Sequence, residues 1–122
     1  MAISKLLFFI DEGGFDDYTK LFVDLGYKVD FETSQRKAVK LAKKNSYEVL
    51  VAEFNYNPEF RDRVSNIESL LATMESHSPG AKIVILFDPV NQTQLDQLRQ
   101  RYRMDSVLSF PILEQDIRQA VS

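Results

Sequence analysis

Strand-like and helix-like segments alternate five times along this chain. "KLLFFID" (5–11), "YEVLVAE" (47–53) and "AKIVILFD" (81–88) are near-continuous apolar runs. A strand reads this way when helices cover both faces of its sheet. "KVDFET" (28–33) alternates in polarity and "DSVLSF" (105–110) is short. Helical periodicity fills the intervals. Over 14–27, Phe15, Tyr18, Phe22 and Leu25 share a face and Gly26 is placed as a stop. Over 34–46, Ser34 caps and Ala38, Leu41 and Ala42 line up. Over 57–80, Asn57 caps, Pro58 takes the first turn, and Phe60, Val64, Ile67, Leu71 and Met74 form a stripe. The last two helices span 89–104, with Leu95, Leu98 and Tyr102, and 111–122, with Ile112, Leu113, Ile117 and Val121.

Repeated βα units of this length imply a parallel sheet with helices on both faces. Five strands in 122 residues fit a single α/β domain over 1–122. The expected architecture is a flavodoxin-like, doubly wound five-stranded sheet of order 2-1-3-4-5, with helices on both faces. The absence of cysteine excludes disulfides, thiolate metal sites and a cysteine nucleophile. A net charge of −3 gives no footprint for a phosphate backbone. Arg99, Arg101 and Arg103 are flanked by Asp96 and Asp105, so direct nucleic-acid binding is not expected. No apolar run is long enough to span a bilayer and no leader pattern is visible, so a cytoplasmic chain is expected.

In such a sheet the site lies beyond the carboxyl ends of the strands, where the strand order reverses. The first strand ends on Asp11 and Glu12, the third on Glu53, the fourth on Leu86, Phe87 and Asp88, and the fifth on Ser109, Phe110 and Pro111. Asp11, Glu12 and Glu53 are therefore expected to converge. Crowded carboxylates need compensation, and an oxygen-only set suits weakly held Mg²⁺, with no cofactor otherwise required. "DEGGFDD" lacks the lysine and spaced glycines of a phosphate cradle, and its acids would repel FMN phosphate. His77, the only histidine, sits at a helix end without a nucleophile near it in sequence. Neither Ser65 nor Thr73 belongs to a catalytic motif. No enzymatic activity is expected.

The phrases "FIDE", "YEVLVAE" and "SFPI" resemble those of the CheY-like receiver domains of response regulators, over essentially the whole chain. The resemblance implies that Asp11 and Glu12 match the family's acid pair and that Glu53 stands at the phosphoacceptor aspartate. Leu86 or Phe87 falls where the family has a hydroxyl residue. Phe110 holds the place of its lysine, and Pro111 matches the proline after it. A glutamate carries its carboxylate one methylene further out, off an attack geometry that tolerates little error. Leucine and phenylalanine cannot hold phosphoryl oxygens, and Phe110 would put apolar bulk where a phosphate should lie. The chain thus resembles a degenerate pseudo-receiver: a phosphorylation-independent signalling module that works by protein–protein contact. An atypical receiver, using Asp11, Glu12, Glu53 and Mg²⁺ in a two-component phosphorelay, is the alternative. An unrelated flavodoxin-like small-ligand binder is the third reading.

Spacing predicts a short or displaced first helix and extra length in "NYNPEFRDRV" (55–64). Glu53 is either a partial mimic of a phosphorylated residue or an inherited, solvated carboxylate. In the family, partners or a second copy dock on the surface from helix 4 through strand 5 to helix 5. Here that face would carry Arg99, Tyr102, Arg103, Val107 and Phe110, residues that include favoured interface types. Val107 replaces the family's switch aromatic. The basic run "RKAVKLAKK" (36–44) is either a solvated helix face or a surface for an acidic partner.

Overall fold

A computed structural model of the chain describes residues 4–11, 17–56 and 67–122. The expected features Glu12, Gly13, Gly14, Phe15, Asn57, Pro58, Phe60, Val64 and Ser65 lie outside these residues. The strands are β1 (Lys5–Phe9), β2 (Lys28–Glu32), β3 (Val49–Glu53), β4 (Lys82–Phe87) and β5 (Ser106–Ser109). The described helices are α1 (Thr19–Asp24), α2 (Gln35–Lys44), α3 (Glu68–His77), α4 (Gln92–Arg99) and α5 (Glu114–Ala120). All four strand pairings are parallel and the order is β2-β1-β3-β4-β5. This is the expected flavodoxin-like arrangement.

Alternation along each strand explains the apolar runs. In β1, Leu6 and Phe8 enter one layer with Phe22 of α1 and Ile117 of α5. Leu7 and Phe9 enter the other, beneath α2, α3 and α4, with Ala38, Leu71 and Leu95. Every residue of β3 is buried, whereas β2 and β5, at the sheet edges, are only half covered. Phe8 anchors the first layer. Its ring meets Phe22 edge-on at 5.2 Å between centroids and Phe31 at 5.3 Å.

Helix ends follow local chemistry. Asp17 accepts from the backbone N–H and the hydroxyl of Thr19, so the described part of α1 starts at Thr19 and runs six residues. These bonds, the hydroxyl's first, hold the Asp17 carboxyl below its ordinary pKa. Gly26, at φ +99°, stops the helix: its N–H reaches Val23 and that of Tyr27 reaches Phe22, a pairing that needs a left-handed residue. Ser34 caps α2 by accepting from Lys37 N–H at 3.4 Å. Asp88 accepts from Val90 N–H and starts a 3₁₀ turn, Pro89–Asn91, ahead of α4. α5 begins at Glu114, later than the expected 111, because Leu113 is still extended.

Candidate functional site

Glu53 ends β3 at the centre of the sheet, beside Leu86 of β4. Its side chain is 1% exposed. The Asp11 backbone N–H donates to Glu53 Oε1 at 2.9 Å, and Asn55 Nδ2 donates to Oε2 at 2.9 Å. Both oxygens are therefore hydrogen-bonded, one across the sheet and one along the chain. The expectation of a solvated carboxylate at Glu53 is corrected: this acid is turned in and satisfied. A buried carboxylate is tolerated when donors of this kind replace its water. Here the extra methylene has a use. An aspartate at the same position would carry its carboxylate about 1.5 Å shorter, and the bond to Asp11 N–H, two residues past the end of β1, depends on that reach.

The neighbouring positions are equally closed. Leu86 faces the α1/α5 layer and Phe87 the opposite one, and both are buried. Asp11 is exposed, and its backbone N–H meets Glu53. The Asp88 carboxylate is committed to Val90 N–H. Among the described residues no group of three Asp, Glu or His side chains is placed to hold a metal ion. Glu12, the third proposed ligand, lies outside the described residues.

Phe110 follows β5, and its N–H donates to Phe87 O at 2.8 Å. The side chain is 46% exposed. The Phe110–Pro111 peptide is cis. Phe110, Leu113 and Val90 are exposed apolar side chains in segments that follow β4 and β5.

The expected partner face divides. Arg99 ends α4 and is exposed. Arg101 pairs with Glu68 of α3 at 2.6 Å. Arg103 donates to Ala81 O at 2.6 Å and lies 3.8 Å from Asp105. Tyr102 packs against the core beneath α3 and, with Met74, Ile83 and Arg103, lines a hollow of about 320 Å³. Tyr102 and Arg103 therefore address α3 and the start of β4, not the β5–α5 surface. Val107 is half-buried against the same core. Tyr102 keeps the phase of Leu95 and Leu98, its N–H donating to Leu98 O at 3.0 Å, and so stays on the core side.

One residue of the site carries no sequence motif, Asn55. Its position two residues after the buried acid is the sole signal. No helix among the described residues is long and apolar enough to cross a membrane.

No protein-family model matches the chain, and no curated protein does. Solved structures do. A response regulator receiver protein from Sinorhizobium medicae is 17% identical, with a TM-score of 0.72 over 97% of this chain and 90% of that one. The adenylate cyclase from Rhodopirellula baltica is 17% identical, with a TM-score of 0.70 over 98% and 85%. The receiver domain of the sensor histidine kinase PA1611 from Pseudomonas aeruginosa, with a magnesium ion coordinated in its active-site cleft, is 15% identical, with a TM-score of 0.61 over 98% and 95%. The fold of this chain is that of receiver domains.

Proposed function

We propose that this receiver-fold chain is a signalling module that acts by protein–protein contact and does not depend on phosphorylation. The observation that carries the reading is Glu53. A phosphoacceptor has to offer a carboxylate oxygen to the incoming phosphorus, in line and with room for three further oxygens. Glu53 is 1% exposed and has an N–H donor on each oxygen. Making it a nucleophile would require breaking those bonds and opening the end of β3. Leu86 and Phe87 supply no donor for a phosphoryl group, and Phe110 supplies no countercharge. The acid at the family's reactive position serves here as a tie between β1 and β3.

Contact would then be made by surface that is fixed rather than switched. The α4–β5–α5 side retains exposed Arg99, Phe110 and Leu113, and is the surface we assign to a protein partner or to a second copy. The test is the intact mass after incubation with Mg²⁺ and acetyl phosphate. An unchanged mass is expected, beside a control receiver that gains a phosphoryl group. A base-labile adduct that vanishes in Glu53→Gln would overturn the reading and restore the Mg²⁺-dependent alternative. The magnesium-bound receiver domain of PA1611 shows that this fold supports such a site in another chain.

A further inference from the structure

We infer that the outer face of α2 is a docking surface for an acidic protein segment. The helix Gln35–Lys44 contains Arg36, Lys37, Lys40, Lys43 and Lys44, all exposed, and no acidic residue. At 3.6 residues per turn these five cations fall within about 120° of arc and along about 12 Å of axis. The opposite face is the one that packs: Ala38 and Ala42 are buried, with Val39 and Leu41 against the core.

Three observations separate this face from an ordinary solvated one. Lys40 has a like charge at each of i−4, i−3, i+3 and i+4, an arrangement that disfavours the helix. Arg36 and Lys37 lie in the first turn, where the helix dipole also opposes them. None of the ion pairs among the described residues involves any of the five. The charge is therefore concentrated without an ion-pair partner among the described residues, although Lys43 and Lys44 in the last turn are favoured by the dipole. It is also out of keeping with the chain. Of fifteen Lys and Arg, five lie here, which leaves ten against eighteen acids elsewhere, a balance of −8 around a patch of +5.

That contrast selects the partner. A nucleic-acid duplex carries a charge every 1.7 Å or so and extends well past 12 Å. A bilayer surface extends further still. Either would meet the acidic remainder of the chain within a Debye length of about 8 Å beyond the helix. A membrane helix also needs apolar surface beside its cations, and on α2 that surface is in the core. A short acidic segment from a protein fits both the length and the sign. This surface lies apart from Glu53 and does not rest on the function proposed above.

The test uses a fluorescein-labelled peptide of ten glutamates, followed by anisotropy at about 20 mM salt. Binding is expected, falling steeply as salt rises. Lys40→Gln with Lys44→Gln should weaken it about tenfold, as the loss of two exposed ion pairs implies. Lys20→Gln with Lys28→Gln removes the same charge elsewhere and should leave affinity within about twofold. Lys40→Arg should retain it, which excludes a folding defect. Equal weakening by the two double variants would overturn the inference, as would no binding. Tighter binding of a single-stranded oligonucleotide, or of phosphatidylserine vesicles, would overturn it in favour of those partners.

Discussion

Glu53 and the outer face of α2 handle charge in opposite ways. Glu53 is one acid at the centre of the sheet, buried, with an N–H on each oxygen. The α2 face is five cations in the open without an acid on their helix. In a receiver-type fold the first position is where charge would be expected to act and the second is a packing element. The difference teaches that position in a fold does not decide which charges remain available. Hydrogen-bond satisfaction does. A carboxylate whose oxygens are occupied contributes to structure, whereas cations that repel one another work against their helix.

The comparison breaks first at Glu53. Glu53→Ala removes both hydrogen bonds and leaves a small cavity at the end of β3. A loss of about 2–4 kcal/mol is expected in urea unfolding. Glu53→Gln keeps an acceptor for Asp11 N–H, and Asn55 can turn its own oxygen to the new amide, so the cost should stay near 1 kcal/mol. Glu53→Asp should fall between them, since the shorter arm loses its reach to Asp11. A cost for Glu53→Ala below about 0.5 kcal/mol is the surface value and would return Glu53 to the solvated class.

A second buried contact calibrates the first. Tyr47 donates to Asp30 Oδ2 at 2.7 Å and is almost fully buried, so burial first and the Asp30 bond second push its hydroxyl pKa above the ordinary tyrosine range. Tyr27, raised mainly by burial, acts in the same direction. Above pH 10 the unfolded tyrosine loses its proton while the folded one keeps it. The unfolded chain then binds fewer protons, and stability falls with pH by up to about 1.4 kcal/mol per unit for each such group. Tyr47→Phe should cost about 1 kcal/mol at pH 7 and make the alkaline decline shallower. Parallel declines in the two proteins would assign the effect elsewhere.

These contacts also mark what could be read in advance. The order of elements was legible because β1, β3 and β4 are covered on both faces and so lack polar residues in their interiors, while edge strands β2 and β5 keep them. The place of Glu53 was legible for the same reason: it is the first acid after a buried run. Its environment was not, because its partners are a backbone N–H and an asparagine with no motif around it. Helix phase was informative at Tyr102: the periodicity through Leu95 and Leu98 continues to it, and the tyrosine packs against the same core although α4 ends at Arg99. Charge on α2 was plain in the sequence. The absence of those cations from the described ion pairs is what the structure adds.

The smallest expected effect sharpens the other side of the comparison. Lys40 is the centre of the α2 face, with Arg36, Lys37, Lys43 and Lys44 as its four nearest helical neighbours. Removing its charge relieves four repulsive pairs, each worth a few tenths of a kcal/mol. Glutamine has nearly the same helix propensity as lysine, so backbone preference does not confound the change. Lys40→Gln should therefore stabilise the chain by about 0.5–1 kcal/mol at low ionic strength, read as a rise in the urea midpoint at constant m. The gain should shrink toward zero near 1 M salt, where the Debye length is about 3 Å. Stabilisation that persists at high salt would trace to packing or propensity instead. A loss of stability on removing Lys40 would mean that its charge is compensated in the folded chain, and the contrast with Glu53 would lose its basis.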